Sequence, residues 1–298
     1  MEAKSLILTL KGGLGNQMFG YAAARRLALV NGAELVLDVE GGFKRDKTYR
    51  RQFSLAPFAI AGRMATPSEK FEPFEALRRS WMRTREARKP FEERLYIRQE
   101  FGEFDPRLLA LKIHDRLWIE GVWAGEDYFS DITEIIRRDF SITPPVDDHN
   151  RAMMEAIKNT AAVGLHVRFF STADDSDNRN ASRDYYHRAI TYISARVENA
   201  HFYVFSDQPE QAASLLPLEG HRTSYVSHNS SDAMAYADLW LMSACRHIIA
   251  ANSTFSWWGA WLAEVHDPAQ LIIVPDPEKL QHGHWSLAGL LPTRWKKL

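Results

Sequence analysis

The second half of the chain alternates short apolar runs with segments of helix length, and this alternation restricts the fold more than any other feature of the sequence. The apolar runs are residues 163–167, 202–205, 224–226, 247–251 and 271–274. The helical segments are residues 183–197, 208–215, 232–245 and 255–265. Strands that alternate with helices of this length imply right-handed crossovers and a parallel sheet covered on both faces. The pattern therefore predicts a Rossmann-like α/β unit.

The first half begins with a similar pattern. Residues 5–10 are predicted to form a strand, residues 16–31 a helix and residues 33–39 a second strand. Gly32 supplies the stop of the helix. With 298 residues, 45% of them hydrophobic, the chain can build two domains with cores of their own.

A proline-rich polar segment, residues 143–148 with the sequence TPPVDD, precedes the regular second half. Such a composition is typical of a hinge. We therefore expect one domain over residues 1–145 and a second over residues 146–298.

The formal net charge of −1 gives no overall attraction to nucleic acid or to an anionic membrane, so an anionic ligand needs a local site. The longest apolar run near the N-terminus, residues 5–10, is too short for a signal peptide or a membrane span. The single cysteine, Cys245, cannot form an intramolecular disulfide. We expect a cytoplasmic location, no nucleic-acid partner and no integral membrane segment, and peripheral membrane association stays open.

A basic run surrounds a predicted helix in the charged, proline-rich stretch of residues 41–90. Its members are Arg78, Arg79, Arg83, Arg85, Arg88 and Lys89. A solvated helix face is the favoured interpretation, because runs of charge usually lie at the surface. Docking onto an acidic acceptor or a lipid is the alternative.

Polar side chains follow three of the predicted strands in the second half. They are His166 and Arg168, then Ser206 and Asp207, then Asn252, Ser253, Thr254 and Ser256. In open parallel sheets, ligands bind in the crevice beyond the carboxyl ends of the strands. A cation, a carboxylate and a helix N-terminus match the separate needs of a nucleoside diphosphate. The sequence therefore predicts a donor with a diphosphate group.

Each main candidate at these strand ends also has a structural interpretation. The fork of donors on Arg168 suits phosphate oxygens, or the arginine forms an ion pair. His166 could bind a base or ribose, or be a core histidine. Asp207 could accept N–H groups from a guanine edge, or cap the helix that begins at Gln208.

The turn after the first strand, GGLGNQM over residues 12–18, resembles a dinucleotide fingerprint. The third glycine of G-x-G-x-x-G is replaced by Met18, which argues against a nicotinamide dinucleotide site. Its glycines still permit close approach of a ligand to the backbone, and Asn16 is expected to cap the helix while its amide faces the ligand.

A second motif, D-x-D at Asp175 and Asp177, lies in the polar stretch of residues 171–182 with no strand directly before it. A flexible loop is the favoured interpretation, and we expect no essential metal.

Five segments together resemble the family 11 α-1,2-fucosyltransferases. They are GGLGNQMF at residues 12–19, VGLHVR at 163–168, FYVFSD at 202–207, DLWLMS at 238–243 and NSTFSWWGAW at 252–261. The resemblance implies a GT-B-like α/β fold, with two Rossmann-like domains whose parallel sheets face each other across a cleft. It also implies that the C-terminal domain binds GDP-L-fucose, that the N-terminal domain serves the acceptor, and that no cofactor is needed.

The resemblance also implies roles for single residues. Arg168 would bind the donor diphosphate, His166 would lie near the nucleoside and Asp207 would face guanine. The donor site would further include Ser206, Asn252 and the phosphate loop of Ser253, Thr254, Phe255 and Ser256. Gly13, Gly15 and Asn16 would belong to an N-terminal loop that closes on the fucose and phosphates, and Arg168 and Asn16 would be catalytic.

The implied reaction is an inverting, metal-independent transfer of fucose from GDP-β-L-fucose to a galactose-containing glycan, with an α-1,2 linkage. The family pattern H-x-R-R-G-D is broken here, because Phe169, Phe170 and Ser171 follow Arg168. Asp174 or Asp175 could replace the lost carboxylate. The alternatives are another linkage or donor, and a silent GDP-sugar-binding protein. Four carboxylates of the first half are candidates for a general base: Asp38, Glu40, Glu120 and Glu126.

Overall fold

The computed structural model describes residues 4–44, 46–99, 103–170, 180–264, 267–277 and 290–298. The chain divides into two compact units, residues 1–142 and residues 143–298. Each unit contains a parallel sheet combined with helices. The predicted fold class, α/β and GT-B-like with two Rossmann-like units, is therefore confirmed. No helix in the described parts of the chain combines the length and the apolar composition that crossing a membrane requires.

The first unit holds a five-stranded sheet in the order β3-β2-β1-β5-β4. Its elements are β1 (Ser5–Thr9), α1 (Leu14–Asn31), β2 (Glu34–Asp38), β3 (Arg63–Met64), α2 (Glu75–Glu86), β4 (Tyr96–Arg98), α3 (Arg107–Ala110), β5 (Arg116–Glu120) and α4 (Thr133–Asp139). All four strand pairs of this sheet are parallel. Strand β1 is central and fully buried, as a strand covered on both faces requires.

Helix α1 ends where the sequence predicts and begins earlier. Gly32 adopts a left-handed conformation with φ of 59° and terminates the helix. At the other end the helix begins at Leu14, with Gly13 in an extended conformation as its N-cap residue. The N–H groups of Asn16 and Gln17 bond to the Gly13 carbonyl. The prediction that Asn16 caps this helix is wrong, because Asn16 already lies inside the first turn.

The second unit holds a six-stranded sheet in the order β11-β10-β9-β6-β7-β8. Its elements are α5 (Asp148–Lys158), β6 (Ala161–Val167), α6 (Arg183–Ser194), β7 (Ala200–Ser206), α7 (Pro209–Leu215), β8 (Arg222–Val226), α8 (Ala235–Ser243), β9 (His247–Ile249), α9 (Thr254–Ala263), β10 (Ile272–Val274) and β11 (Lys296–Lys297). The predicted alternation of strands and helices is present, and the five strand pairs are parallel. Strands β9, β6 and β7, which the three polar clusters follow in the sequence, are neighbours in this sheet.

Candidate functional site

Strands β9, β6 and β7 end together at one edge of the second sheet. Leu165 of β6 pairs with Ile249, the last residue of β9, and Val167 pairs with Ser206, the last residue of β7. Because the three strands are parallel, the residues that follow them emerge on the same side of the unit. The sheet therefore brings together the three polar clusters that the sequence singles out.

Arg168 and Asp207 form an ion pair at this edge. Arg168 Nη1 donates to Asp207 Oδ2 over 2.9 Å, and the Phe169 N–H donates to Asp207 Oδ1 over 3.1 Å. Both side chains remain partly exposed. The ion-pair interpretation of Arg168 is thus confirmed, and the partly exposed guanidinium stays accessible to an anion.

Asp207 does not cap helix α7. The N-cap residue is Gln208, with no side-chain capping bond, because the Asp207 carboxylate is directed to Arg168 and the Phe169 N–H instead. Ser206, the last residue of β7, accepts the Gln208 N–H over 3.1 Å. This bond shapes the turn that carries Asp207.

His166 is buried, with 5% of its surface exposed, and its Nδ1 lies 2.5 Å from the Ser256 Oγ. The same Oγ accepts the Ala251 N–H over 3.0 Å. With one lone pair so engaged, the serine hydroxyl can donate its own proton to Nδ1, which leaves the ring proton on Nε2. Burial, and secondarily the charge of Arg168, lowers the pKa of His166 to about 3, so the ring is neutral at physiological pH.

The third cluster forms the start of helix α9. Ser253 is the N-cap residue, and its Oγ accepts the Phe255 N–H over 3.2 Å. Asn252 precedes this cap and Thr254 is the first helical residue. The Phe255 ring lies 5.2 Å from the His166 ring. Ser256 is fully buried and bonded to His166 and Ala251, so its hydroxyl acts inside the unit, whereas the sequence assigned it to a phosphate loop.

Two tyrosines of α6 brace these strand ends, and sequence reasoning missed both. The Tyr185 hydroxyl donates to the Ala250 carbonyl over 2.7 Å, and the Tyr186 hydroxyl donates to the His166 carbonyl over 3.1 Å. Both side chains are buried. Adjacent tyrosines in the first turn of a predicted helix are the only hint in the sequence, and buried hydroxyl groups of this kind require partners.

The glycine turn belongs to the first unit. Gly12 has a φ of 75°, and a Cβ on it would lie 2.7 Å from the Asn16 Nδ2, so a residue with a side chain would strain the backbone and displace Asn16. Gly13 caps α1, Gly15 is its second residue, and the Asn16 side chain packs over Gly12. The space beside Gly12 is thus occupied by Asn16, and the predicted approach of a ligand to the backbone of this turn stays a prediction.

Gln17 holds the glycine turn to a neighbouring segment, a role that no pattern in the sequence indicates. The buried side chain donates from Nε2 to the Gly12 and Gln52 carbonyls, each over 2.9 Å, and its Oε1 accepts the Ser54 N–H over 2.9 Å. One amide group thus satisfies three backbone groups of two loops.

The four general-base candidates of the first unit differ in their surroundings. Asp38 is buried and accepts from Arg79 over 2.6 Å. Glu120 accepts from Arg83 and, over 2.6 Å, from the Tyr96 hydroxyl, and these groups outweigh burial and keep its pKa low. Glu40 pairs with Lys70 over 3.0 Å at the surface. Glu126 begins a short 3₁₀ turn, Glu126–Tyr128.

The D-x-D motif, together with Asp174, lies outside the described residues. Its predicted status as a loop without a metal stays a prediction.

The sequence matches the family model of glycosyl transferase family 11 over residues 3–281. It is 27% identical to an alpha-1,2-colitosyltransferase of Escherichia coli, over 86% of this chain and 87% of the relative. It is 30% identical to the O-antigen biosynthesis glycosyltransferase WbnK of Escherichia coli, over 91% of this chain and 93% of the relative. The fold is similar to that of NodZ alpha-1,6-fucosyltransferase soaked with GDP-fucose, with a TM-score of 0.51, 17% identity, and coverage of 88% of this chain and 93% of that structure.

Proposed function

Because the chain belongs to glycosyltransferase family 11, we propose that it transfers L-fucose from GDP-β-L-fucose to a hydroxyl group of a galactose-containing glycan. The proposed linkage is α-1,2, with inversion at the anomeric carbon and without a metal ion. The fold similarity to a fucosyltransferase and the α-1,2 linkage in the name of one relative support this choice.

One observation carries the proposal: the three neighbouring strands β9, β6 and β7 end in a cation, a carboxylate and a helix N-terminus. In the proposed complex, Arg168 binds the diphosphate and the start of α9 at Ser253 and Thr254 adds backbone N–H groups and a positive helix end. His166 is neutral, and in the tautomer in which Ser256 donates to Nδ1 its Nε2–H offers a hydrogen bond to the nucleoside. Ser206, Asp207, Asn252 and Phe255 complete the donor side.

The chemical step is a single displacement. The acceptor hydroxyl forms a bond to the anomeric carbon of fucose as the bond to the GDP oxygen breaks, through a state with oxocarbenium character. Negative charge then grows on the departing diphosphate, and the Arg168 guanidinium stabilises it. When GDP binds, its diphosphate replaces Asp207 as the partner of Arg168. The Asp207 carboxylate can then accept guanine N–H groups.

In the first unit, the roles of Gly13, Gly15 and Asn16 rest on the family resemblance alone. For the general base, Glu120 is bonded to Arg83 and Tyr96, which keep its pKa low and make it a weak base. Because the step is a single displacement, it needs no protein nucleophile. We assign no general base.

The test is mass spectrometry with linkage analysis of products formed from GDP-fucose and a panel of galactosides. Arg168→Ala should lower the transfer rate by about 100- to 1,000-fold, the cost of removing one preorganised charge-stabilising donor. Arg246→Ala is a matched control, since Arg246 also pairs with an aspartate, Asp267, over 2.6 Å but precedes β9 at the opposite edge. Normal transfer by Arg168→Ala would contradict the proposed diphosphate site, and a chelator should leave the wild-type rate unchanged.

Colitosyl transfer is a second candidate, favoured by the 27% identity to the colitosyltransferase. Colitose is fucose without its 3-hydroxyl group, so the same diphosphate site serves both donors. Competition between GDP-fucose and GDP-colitose in one reaction decides between them by the ratio of kcat/KM values.

A further inference from the structure

Helix α2 carries its charged residues inward and its large apolar residues outward. Arg79 is 5% exposed and Glu86 is fully buried, whereas Leu77 is 73% and Trp81 59% exposed. Phe74, directly before the helix, is 69% exposed. A surface helix ordinarily packs its apolar stripe against the core and presents its charges to water. The orientation of α2 is the reverse.

Specific bonds fix the helix in this orientation. Arg79 donates to the Thr9 Oγ1 over 2.7 Å and to the Asp38 Oδ2 over 2.6 Å, and Arg83 donates to the Glu120 carboxylate. These three acceptors are the last residues of β1, β2 and β5. Rotation of α2 about its axis would break the bonds and leave buried charges unpaired, which costs several kcal/mol. Leu77 and Trp81 therefore stay at the surface.

Arginines surround the exposed apolar residues. Arg78, Arg85 and Arg88 are exposed, and the Arg85 guanidinium carbon lies 5.1 Å from the centre of the Trp81 ring. The carboxylates of this helix, Glu75 and Glu86, are directed inward to Arg79 and to the Leu95 N–H, and the Glu86 Oε1 also lies 3.5 Å from the Arg85 Nε. The outward face is thus apolar and cationic, although the formal net charge of the whole chain is −1.

We propose that this face, formed by Phe74, Leu77, Trp81, Arg78, Arg85 and Arg88 and here called the α2 face, docks onto an anionic membrane surface. Aliphatic and aromatic side chains on one side of a helix enter the boundary between headgroups and acyl chains, and tryptophan prefers that depth. The flanking arginines pair with lipid phosphates while their methylene stems stay apolar. Charge complementarity therefore selects an anionic bilayer over a neutral one. The proposal is independent of the sugar donor and the acceptor.

Flotation of the full-length protein with vesicles tests the proposal. The protein should bind vesicles of phosphatidylcholine with phosphatidylglycerol and not vesicles of phosphatidylcholine alone. Replacement of Arg78, Arg85 and Arg88 by glutamine should lower the partition coefficient about fivefold per arginine. Combining Leu77→Ser and Trp81→Ser should lower it by about tenfold or more, because the buried apolar area is lost. High salt should weaken the binding of the wild type.

Val146→Ser is the matched control, since Val146 is an exposed apolar residue of the second unit. It should bind vesicles like the wild type, and every variant should keep the wild-type midpoint of thermal unfolding. Equal binding by the Leu77→Ser, Trp81→Ser variant and the wild type would overturn the proposal, as would a lack of binding to anionic vesicles at low salt. Binding of polyglutamate that requires Leu77 and Trp81, without binding to vesicles, would also overturn it and indicate an acidic protein partner.

Discussion

Among single residues, Ser256 controls the chemical state of His166. Its hydroxyl accepts the Ala251 N–H and can donate to His166 Nδ1, so Ser256→Ala leaves a buried N–H and a ring nitrogen without their partner. We expect a loss of about 1–3 kcal/mol in the free energy of unfolding. We also expect a shift of the ring proton toward Nδ1, and a transfer rate reduced about tenfold or more.

The ¹⁵N chemical shifts of the His166 ring measure the tautomer directly. Ser253→Ala is the control, because it removes the cap of the same helix, at a cost of about 1 kcal/mol, and leaves the bond to His166 in place. A wild-type ring already protonated on Nδ1 would contradict this assignment.

The carboxyl group of Asp238 should make the free energy of unfolding depend on pH. Burial raises its pKa from 3.8 to about 7, although Asn229 donates to its Oδ1 over 2.9 Å. Between these values the unfolded chain ionises while the folded chain keeps its proton. The free energy of unfolding therefore falls as the pH rises from about 4 to about 7, by up to about 4 kcal/mol, and the loss is complete above that range.

Asp238→Asn should remove this dependence, since asparagine still accepts from Asn229 and does not ionise. Urea unfolding of both proteins across this pH range should give stabilities that diverge in favour of the variant as the pH rises. Asp148→Asn, at an exposed position, should stay parallel to the wild type. Parallel curves for Asp238→Asn would show that the carboxylate is already ionised in the folded chain.

Among the elements, α1 depends on Gln17 to hold the turn at its start. Gln17→Leu leaves the Ser54 N–H and the Gln52 carbonyl without their partner, and we expect a loss of about 2 kcal/mol in the free energy of unfolding. Hydrogen exchange of the Ser54 amide should accelerate. Gln52→Leu is the control, because only the backbone carbonyl of this exposed residue takes part. Unchanged protection of Ser54 in Gln17→Leu would refute the role.

The sequence patterns predicted most elements of the second unit, including the three-residue strands β9 and β10, but missed α5 and most strands of the first unit. The predicted strands at residues 5–10 and 163–167 correspond to β1 and β6, since buried parallel strands are continuous apolar runs. Strands β3 and β4 have two and three residues and lack an apolar run as long as the one that predicts β9 at residues 247–251, so pairing at the sheet edges defines them. The basic run around α2 is only partly a solvated face, because Arg79 is buried against acceptors at the ends of β1 and β2, Thr9 and Asp38.

For the whole molecule, parallel strands explain why part of the candidate site could be predicted. Residues that follow such strands must emerge at one edge, which brings Arg168, Asp207 and Ser253 to the same side of the second unit. What the sequence could not give is the partner of each group. The Arg168–Asp207 pair and the Ser256–His166 bond join residues 39 and 90 positions apart, and their geometry depends on strand order and register.

The second unit should fold and bind GDP alone, because its six described strands pair with one another in a single sheet and it contains Arg168, Asp207 and the start of α9. Residues 143–298 should unfold cooperatively and bind GDP within about tenfold of the affinity of the full chain, and should transfer no sugar. Titration calorimetry measures the affinity for GDP of the isolated unit and of the full chain. Arg168→Ala in the isolated unit is the control and should abolish binding. The isolated unit could instead be folded and bind GDP more than about 100-fold more weakly than the full chain, a difference of about 3 kcal/mol. That result would contradict the prediction and mean that residues 1–142 supply much of the binding energy for the nucleotide.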